Sequence, residues 1–185
     1  AMILEVMGRD AGHIALNSGI AGGADVILIP EIPYSIQGIA NHIDKIRSKG
    51  RNHALIVVAE AVRKENGKKA TVKFVDGEVR LGGIGSYLGD QIYKLTNAET
   101  RVTVLGHVQR GAQPTQRDRL IASAFGVKAV DLIANNKFNR VVVWQNRGVK
   151  DVPLEEIAGK SQTLSQSDPL IEVARGLGIY IGDLN

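Results

Sequence analysis

The stretch ETRVTVLGHVQRG, residues 99–111, sets two guanidiniums and an imidazole on or just past a strand otherwise made of Val and Leu. Arg101 and His107 stand six residues apart, an even spacing that puts both on one face if the chain stays extended. Gly106 lets the chain bend ahead of His107, and Gly111 frees the turn behind Arg110. Arg offers a planar fork of donors and His a directed one, so three such groups converging suit the dianion of a phosphate ester. Without a ligand, the same charges would guard a sheet edge against pairing. A second set lies apart in sequence: Met7-Gly8-Arg9 ends one apolar strand and Glu60 ends another. In an open parallel sheet, ligands bind beyond the carboxyl ends of the strands, so Arg9 and Glu60 are expected on one rim. Gly8, lacking a Cβ, admits a ligand or another backbone at close range.

The elements that must hold these groups are legible in the first sixty residues. ILEVM, ADVILIPE and HALIVVAE are apolar runs of the type buried on both faces of a sheet. Between them RDAGHIALNSGIAGG reads as a helix closing on Gly22 and Gly23. The next helix carries Ile36, Ile39, Ile43 and Ile46 as one stripe, with Ser35 as N-cap and Gly50 as stop. Strand, helix, strand, helix, strand with short connections predicts an α/β fold with a parallel sheet. Further on, Asp76-Gly77 signals a type I′ hairpin, and SYLGDQIYKLT a short helix with Leu88, Ile92 and Leu95 inward. Thr115 with Asp118 forms a capping box ahead of a long helix expected to bury Ile121, Phe125, Leu132 and Ile133. RVVVWQ reads as another buried strand, and Asp168-Pro169 starts a last helix.

Composition narrows the function classes. Of 185 residues, 44% are hydrophobic and 23% charged, which supports a packed core and excludes a disordered chain. The net charge of +4 suits a phosphorylated ligand. Aromatics at 4% are too few for single-strand stacking platforms, so no nucleic-acid partner is expected. No apolar run spans a bilayer and no basic-then-apolar leader opens the chain, so no membrane partner is expected. With no cysteine, the expectation is a cytoplasmic protein. GGIGSYLG (82–89) departs from dinucleotide spacing and reads as a loop entering a helix, and His13 and His42 read as surface or packing residues.

EVMGRDAGHIAL…AGGADVILIPE joined to ETRVTVLGHVQRG…P…DR resembles the C-terminal half of the 6-phosphofructokinase family, from about residue 3 to about residue 145. The resemblance implies Rossmann-type αβα layers, incomplete without an N-terminal nucleotide lobe, and transfer of a phosphoryl group from ATP or pyrophosphate to the 1-hydroxyl of fructose 6-phosphate. It assigns Met7, Gly8 and Arg9 to the sugar and the moving phosphoryl group, with Arg9 the catalytic residue, and Glu60 to the sugar hydroxyls. Arg101, His107, Val108, Gln109 and Arg110 fall in the segment that holds the sugar phosphate, Arg101 reaching in from a neighbouring subunit. An effector site maps to Gly23, Ala24, Asp25, Lys49, Arg51, Asn52 and His53. Ala112, Gln116-Arg117 and Ala61 depart from the family pattern.

The family's glycine-rich nucleotide loop and its Thr-Ile-Asp-Asn-Asp motif do not occur in this sequence. By resemblance, magnesium is therefore bound mainly by the other half, with no metal ligand expected here. The expectation is a sugar-phosphate lobe over 1–113, a piece of the nucleotide lobe over 114–150 and a helical tail over 151–185. Its partners would be like subunits in a homodimer or tetramer and the N-terminal half, and alone it would be inactive. The alternative is a non-catalytic module that senses a sugar phosphate or nucleotide.

Overall fold

A computed structural model describes residues 1–73, 75 and 77–183. Along the chain β1 (Met2–Val6), α1 (His13–Ala21), β2 (Val26–Leu28), α2 (Ile36–Ser48) and β3 (Leu55–Ala59) alternate as the apolar pattern requires. Then come β4 (Thr71–Lys73), β5 (Val79–Leu81), α3 (Ile84–Thr96) and β6 (Arg101–Val104). β1, β2, β3 and β6 form one parallel sheet in the order β2-β3-β1-β6, with Met2 opposite both Leu55 and Arg101. The fold is α/β. Ile3, Val26, Ile27, Ile56 and Val58 are wholly buried, as continuous apolar strands covered on both faces must be.

Local chemistry explains the helices. The Ser35 hydroxyl accepts from the Gly38 amide, and all four stripe isoleucines of α2 are buried. α3 buries Ile84, Leu88 and Ile92 along with Gly85 and Gly89, whose missing side chains let the helix close on Val102 of β6. That seam centres on the small residues, so Leu95 falls at its margin in the last turn and is 52% exposed, not inward as expected. β4 and β5 pair antiparallel, Thr71 opposite Leu81. Their expected turn at Asp76-Gly77 involves Asp76, which lies outside the described residues.

The chain divides into two units, Ala1–Gln109 with everything from Gln162 onward, and Arg110–Ser161. The second unit holds α4 (Gln116–Ala134), β7 (Arg140–Gln145), β8 (Gly148–Pro153) and the single turn α5 (Leu154–Ile157). Its capping box is complete: the Asp118 amide donates to the Thr115 hydroxyl, and the Thr115 amide to the Asp118 carboxylate. β7 is not the buried strand expected; it pairs with β8 as a two-stranded hairpin, and Trp144 is 45% exposed. Asn146 and Arg147 both take positive φ, making the tight turn that this pairing needs. Along α4 only Leu132 of the four expected core residues is buried. Ile121 and Phe125 are half-buried and Ile133 is exposed, because a two-stranded hairpin covers one side of the helix.

The segment after residue 150 is not a helical tail. Its first residues complete β8 and α5, and from Gln162 the chain rejoins the first unit. There α6 (Pro169–Gly176), capped by Asp168, buries Ile171 and Ala174, and Tyr180 forms a parallel bridge to Val26 beside β2.

Candidate functional site

At the carboxyl end of β1 the chain enters a loop, residues 7–12, in which the Met7, Gly8, Arg9 and Gly12 amides are taken by side chains from other elements. The Met7 amide donates to Gln109 Oε1 at 2.8 Å. The Gly8 and Arg9 amides both donate to Glu60 Oε1, at 3.1 and 2.9 Å. Gly12, the N-cap of α1, donates to Glu31 Oε1 at 3.0 Å. Each acceptor stands beyond the carboxyl end of a different strand: Glu31 after β2, Glu60 after β3 and Gln109 after β6. The structure thus brings Arg9 and Glu60 to one rim. It also gives Arg9 a positive φ of 50°, a left-handed conformation that a non-glycine residue holds only when its surroundings impose it. A Cβ on Gly8 would meet the Ala11 carbonyl oxygen at 2.5 Å, so glycine is required there.

The segment that carried the sequence argument is not extended. β6 ends at Val104, and Gly106, at φ 49°, turns the chain into a 3-10 turn over Gly106–Arg110. The even spacing of Arg101 and His107 therefore implies no shared face. Arg101 opens β6 opposite Met2, at the amino-terminal edge of the sheet, while His107, Val108 and Gln109 follow the carboxyl end. His107 and Val108 are exposed, and Arg110 is the first residue of the second unit. Arg101 pairs with Glu99 and is 76% exposed.

The residues mapped as an effector site are divided between two clefts, both opening where the strands begin. Gly23, Ala24, Asp25, Lys49 and Arg51 line one of about 490 Å3. His42 and Lys45 of α2 and the turn Leu177–Ile179 line the same cleft. Asn52 and His53 line the other, of about 580 Å3, with Arg101 and Arg47. Asp25 is buried and holds Arg51 in a two-point pair at 2.7 and 3.1 Å, with the Leu55 amide at 2.9 Å on the same carboxylate. Burial pushes the His42 imidazole below its usual range; Asp25 opposes that shift and Lys45 adds to it. Among the described residues no three His, Cys, Asp or Glu side chains are grouped as a metal site requires, and no helix is long and apolar enough to cross a membrane.

One carboxylate escaped the sequence reading. Glu5, in the middle of β1, is 2% exposed and accepts the Gly83 and Gly85 amides at 3.0 and 2.8 Å, at the start of α3. This is what the glycine-rich stretch serves: a helix start wrapped on a carboxylate, not a nucleotide loop. The signal was present, since a lone Glu inside ILEVM breaks an otherwise apolar strand. Glu31 ends its strand as Glu60 does, but a lone carboxylate at a strand end reads as solvated.

The model of the family described as Phosphofructokinase matches residues 1–133. "ATP-dependent 6-phosphofructokinase 1" of Nostoc sp. (strain PCC 7120) is 57% identical over 182 residues, 98% of this chain and 51% of that protein. The enzyme of the same name from Synechocystis sp. (strain PCC 6803) is 55% identical, with 98% and 50% covered. Among solved structures, the T-state phosphofructokinase of Pichia pastoris superposes with a TM-score of 0.67 at 32% identity, over 84% of this chain and 16% of that one. The pyrophosphate-dependent phosphofructokinase of Nitrosospira multiformis gives 0.73 at 20% identity, over 98% and 48%, and supports the fold alone. The chain spans about half the length of the curated relatives it matches.

Proposed function

The chain belongs to the phosphofructokinase family, and from that premise we propose that it supplies the sugar-phosphate-binding half of an ATP-dependent 6-phosphofructokinase. The observation that carries this reading is the shared acceptor at the rim: Glu60 Oε1 takes the amides of Gly8 and Arg9, locking a left-handed Arg9 beside the carboxyl ends of β1 and β3. Phosphoryl transfer is largely positioning and charge stabilisation, with little covalent work for the protein. A loop fixed through its backbone keeps the Arg9 guanidinium available for the transferring phosphoryl group. The Glu60 carboxylate then faces the sugar hydroxyls, and His107 faces the 6-phosphate. ATP as donor follows the names of the relatives at 57% and 55% identity.

Arg101 acts in a neighbouring subunit's site, which fits its exposed place at the opposite edge of the sheet from Arg9. The Asp25–Arg51 cleft serves an effector, with Asn52 and His53 outside it. Magnesium belongs to the reaction of the whole enzyme and is held mainly by the other half.

Mixing the chain with the N-terminal half of the Nostoc relative and following fructose 1,6-bisphosphate formation tests the proposal. Turnover in the mixture, absent from either piece and lost with Arg9→Ala, supports it. Fructose 6-phosphate binding with no turnover in any mixture would favour the non-catalytic sensing module instead.

A further inference from the structure

The far end of the Arg9 loop is held by a residue that no motif assigns. Glu31 Oε1 accepts two amides remote in sequence, Gly12 at 3.0 Å and Leu164 at 2.9 Å. Its backbone carbonyl accepts the Gln166 side-chain amide at 3.1 Å. Its other carboxylate oxygen, Oε2, is buried and has no hydrogen-bond partner. Gly12 makes the approach possible, because a Cβ there would lie 2.8 Å from Oε2 and 2.4 Å from Ile29 Cβ.

A buried acceptor atom left unsatisfied carries a desolvation cost that an apolar residue of similar size would avoid. What the carboxylate does in exchange is bridge the start of α1 to the returning segment that begins at Gln162. The loop from Met7 to Gly12 is then pinned at both ends, by Gln109 and Glu60 at its start and by Glu31 at its finish. Releasing the finish loosens Gly12 against the returning segment and leaves the far side of the Arg9 turn to the Ala11 amide on the Gly8 carbonyl and to Asp10 on Lys69.

We propose that Glu31 is a positioning residue: by accepting the Gly12 and Leu164 amides on one oxygen, it ties the Arg9 loop to the returning segment and sets where the Arg9 side chain stands. This rests on the sugar-phosphate reading above for its functional consequence, but not for its structural one.

The test compares Glu31→Gln, which keeps a carbonyl oxygen for both amides, with Glu31→Met, which matches the length without an acceptor. Glu31→Asp keeps the charge but withdraws it, and serves if the Met variant does not fold. Amide hydrogen exchange at Gly12 and Leu164 is read by NMR in the 185-residue chain, and fructose 6-phosphate affinity by calorimetry. Gln should preserve protection at both amides and bind nearly as the parent does. Met and Asp should lose protection at both together and bind about tenfold more weakly, the size of one lost positioning contact. Rescue by Gln but not by Met separates positioning from mere packing. Equal behaviour of Gln and Met, or unchanged Gly12 protection in Met and Asp, overturns the proposal. If the parent binds no fructose 6-phosphate, the sugar-phosphate reading fails, and the exchange data alone still decide the role of Glu31.

Discussion

Replacing Glu5 should unseat α3 from the sheet. Its carboxylate is 2% exposed and is the acceptor for the Gly83 and Gly85 amides at 3.0 and 2.8 Å. Glu5→Ala leaves the buried Gly85 amide and the part-buried Gly83 amide unmet, at about 2–4 kcal/mol together before any cavity is counted. Glu5→Gln keeps one carbonyl acceptor but turns its NH2 against the other amide, and should cost about 2 kcal/mol. With a urea slope of roughly 2 kcal/mol/M, that moves the midpoint by about 1 M. Far-UV circular dichroism should therefore record an earlier transition in Glu5→Gln. An unchanged dichroism midpoint in Glu5→Ala would refute the reasoning, since no other acceptor for those two amides would then be needed.

Burial pushes the Tyr180 hydroxyl up to about 12 and Tyr34 higher still. Absorbance at alkaline pH should therefore show two of the four tyrosines ionising late. The unfolded chain ionises them near pH 10, so stability falls as pH rises from about 10 towards the folded values. His42 has the opposite sense. Its folded value is depressed by burial, so its contribution is present above about pH 6.5 and is lost as pH falls through the folded value. His42→Gln should flatten the decline of the urea midpoint between neutral and mildly acid pH; an unaltered slope would contradict it. Leu120, Val127 and Val130 of α4 are 62%, 65% and 65% exposed and fall along one side of the helix. Leu120→Lys with Val127→Lys should reduce self-association in sedimentation velocity without lowering the melting temperature, whereas unchanged association would show that this stripe is not what drives it.

Much of the first unit was legible because a parallel sheet covered on both faces demands continuous apolar runs, and β1, β2 and β3 have them. The stripe of α2 and the caps at Ser35, Thr115 and Asp168 were equally plain, since each is a local rule. What escaped depends on the chain's path. The even spacing of Arg101 and His107 held no information once Gly106 broke the strand into a 3-10 turn. The β7–β8 hairpin was hidden because its turn uses Asn146-Arg147 in place of the usual Asn-Gly. Nothing local announces that the chain returns at Gln162 to put the Leu164 amide on Glu31 and Tyr180 beside Val26. The candidate site followed the same division. The strand-end rule set Arg9 and Glu60 on one rim and marked Glu31 as a strand end, whereas the partners of Glu31 and the hold of Gln109 on the Met7 amide needed coordinates.

Where a sugar phosphate binds is the property on which the role of the rim depends. Nitrogen-15 amide shifts of the chain titrated with fructose 6-phosphate locate it directly. The prediction is that perturbations concentrate at Gly8, Arg9, Glu60 and His107. Perturbations confined to the cleft around Asp25 and Arg51, or none at saturating sugar phosphate, would contradict it.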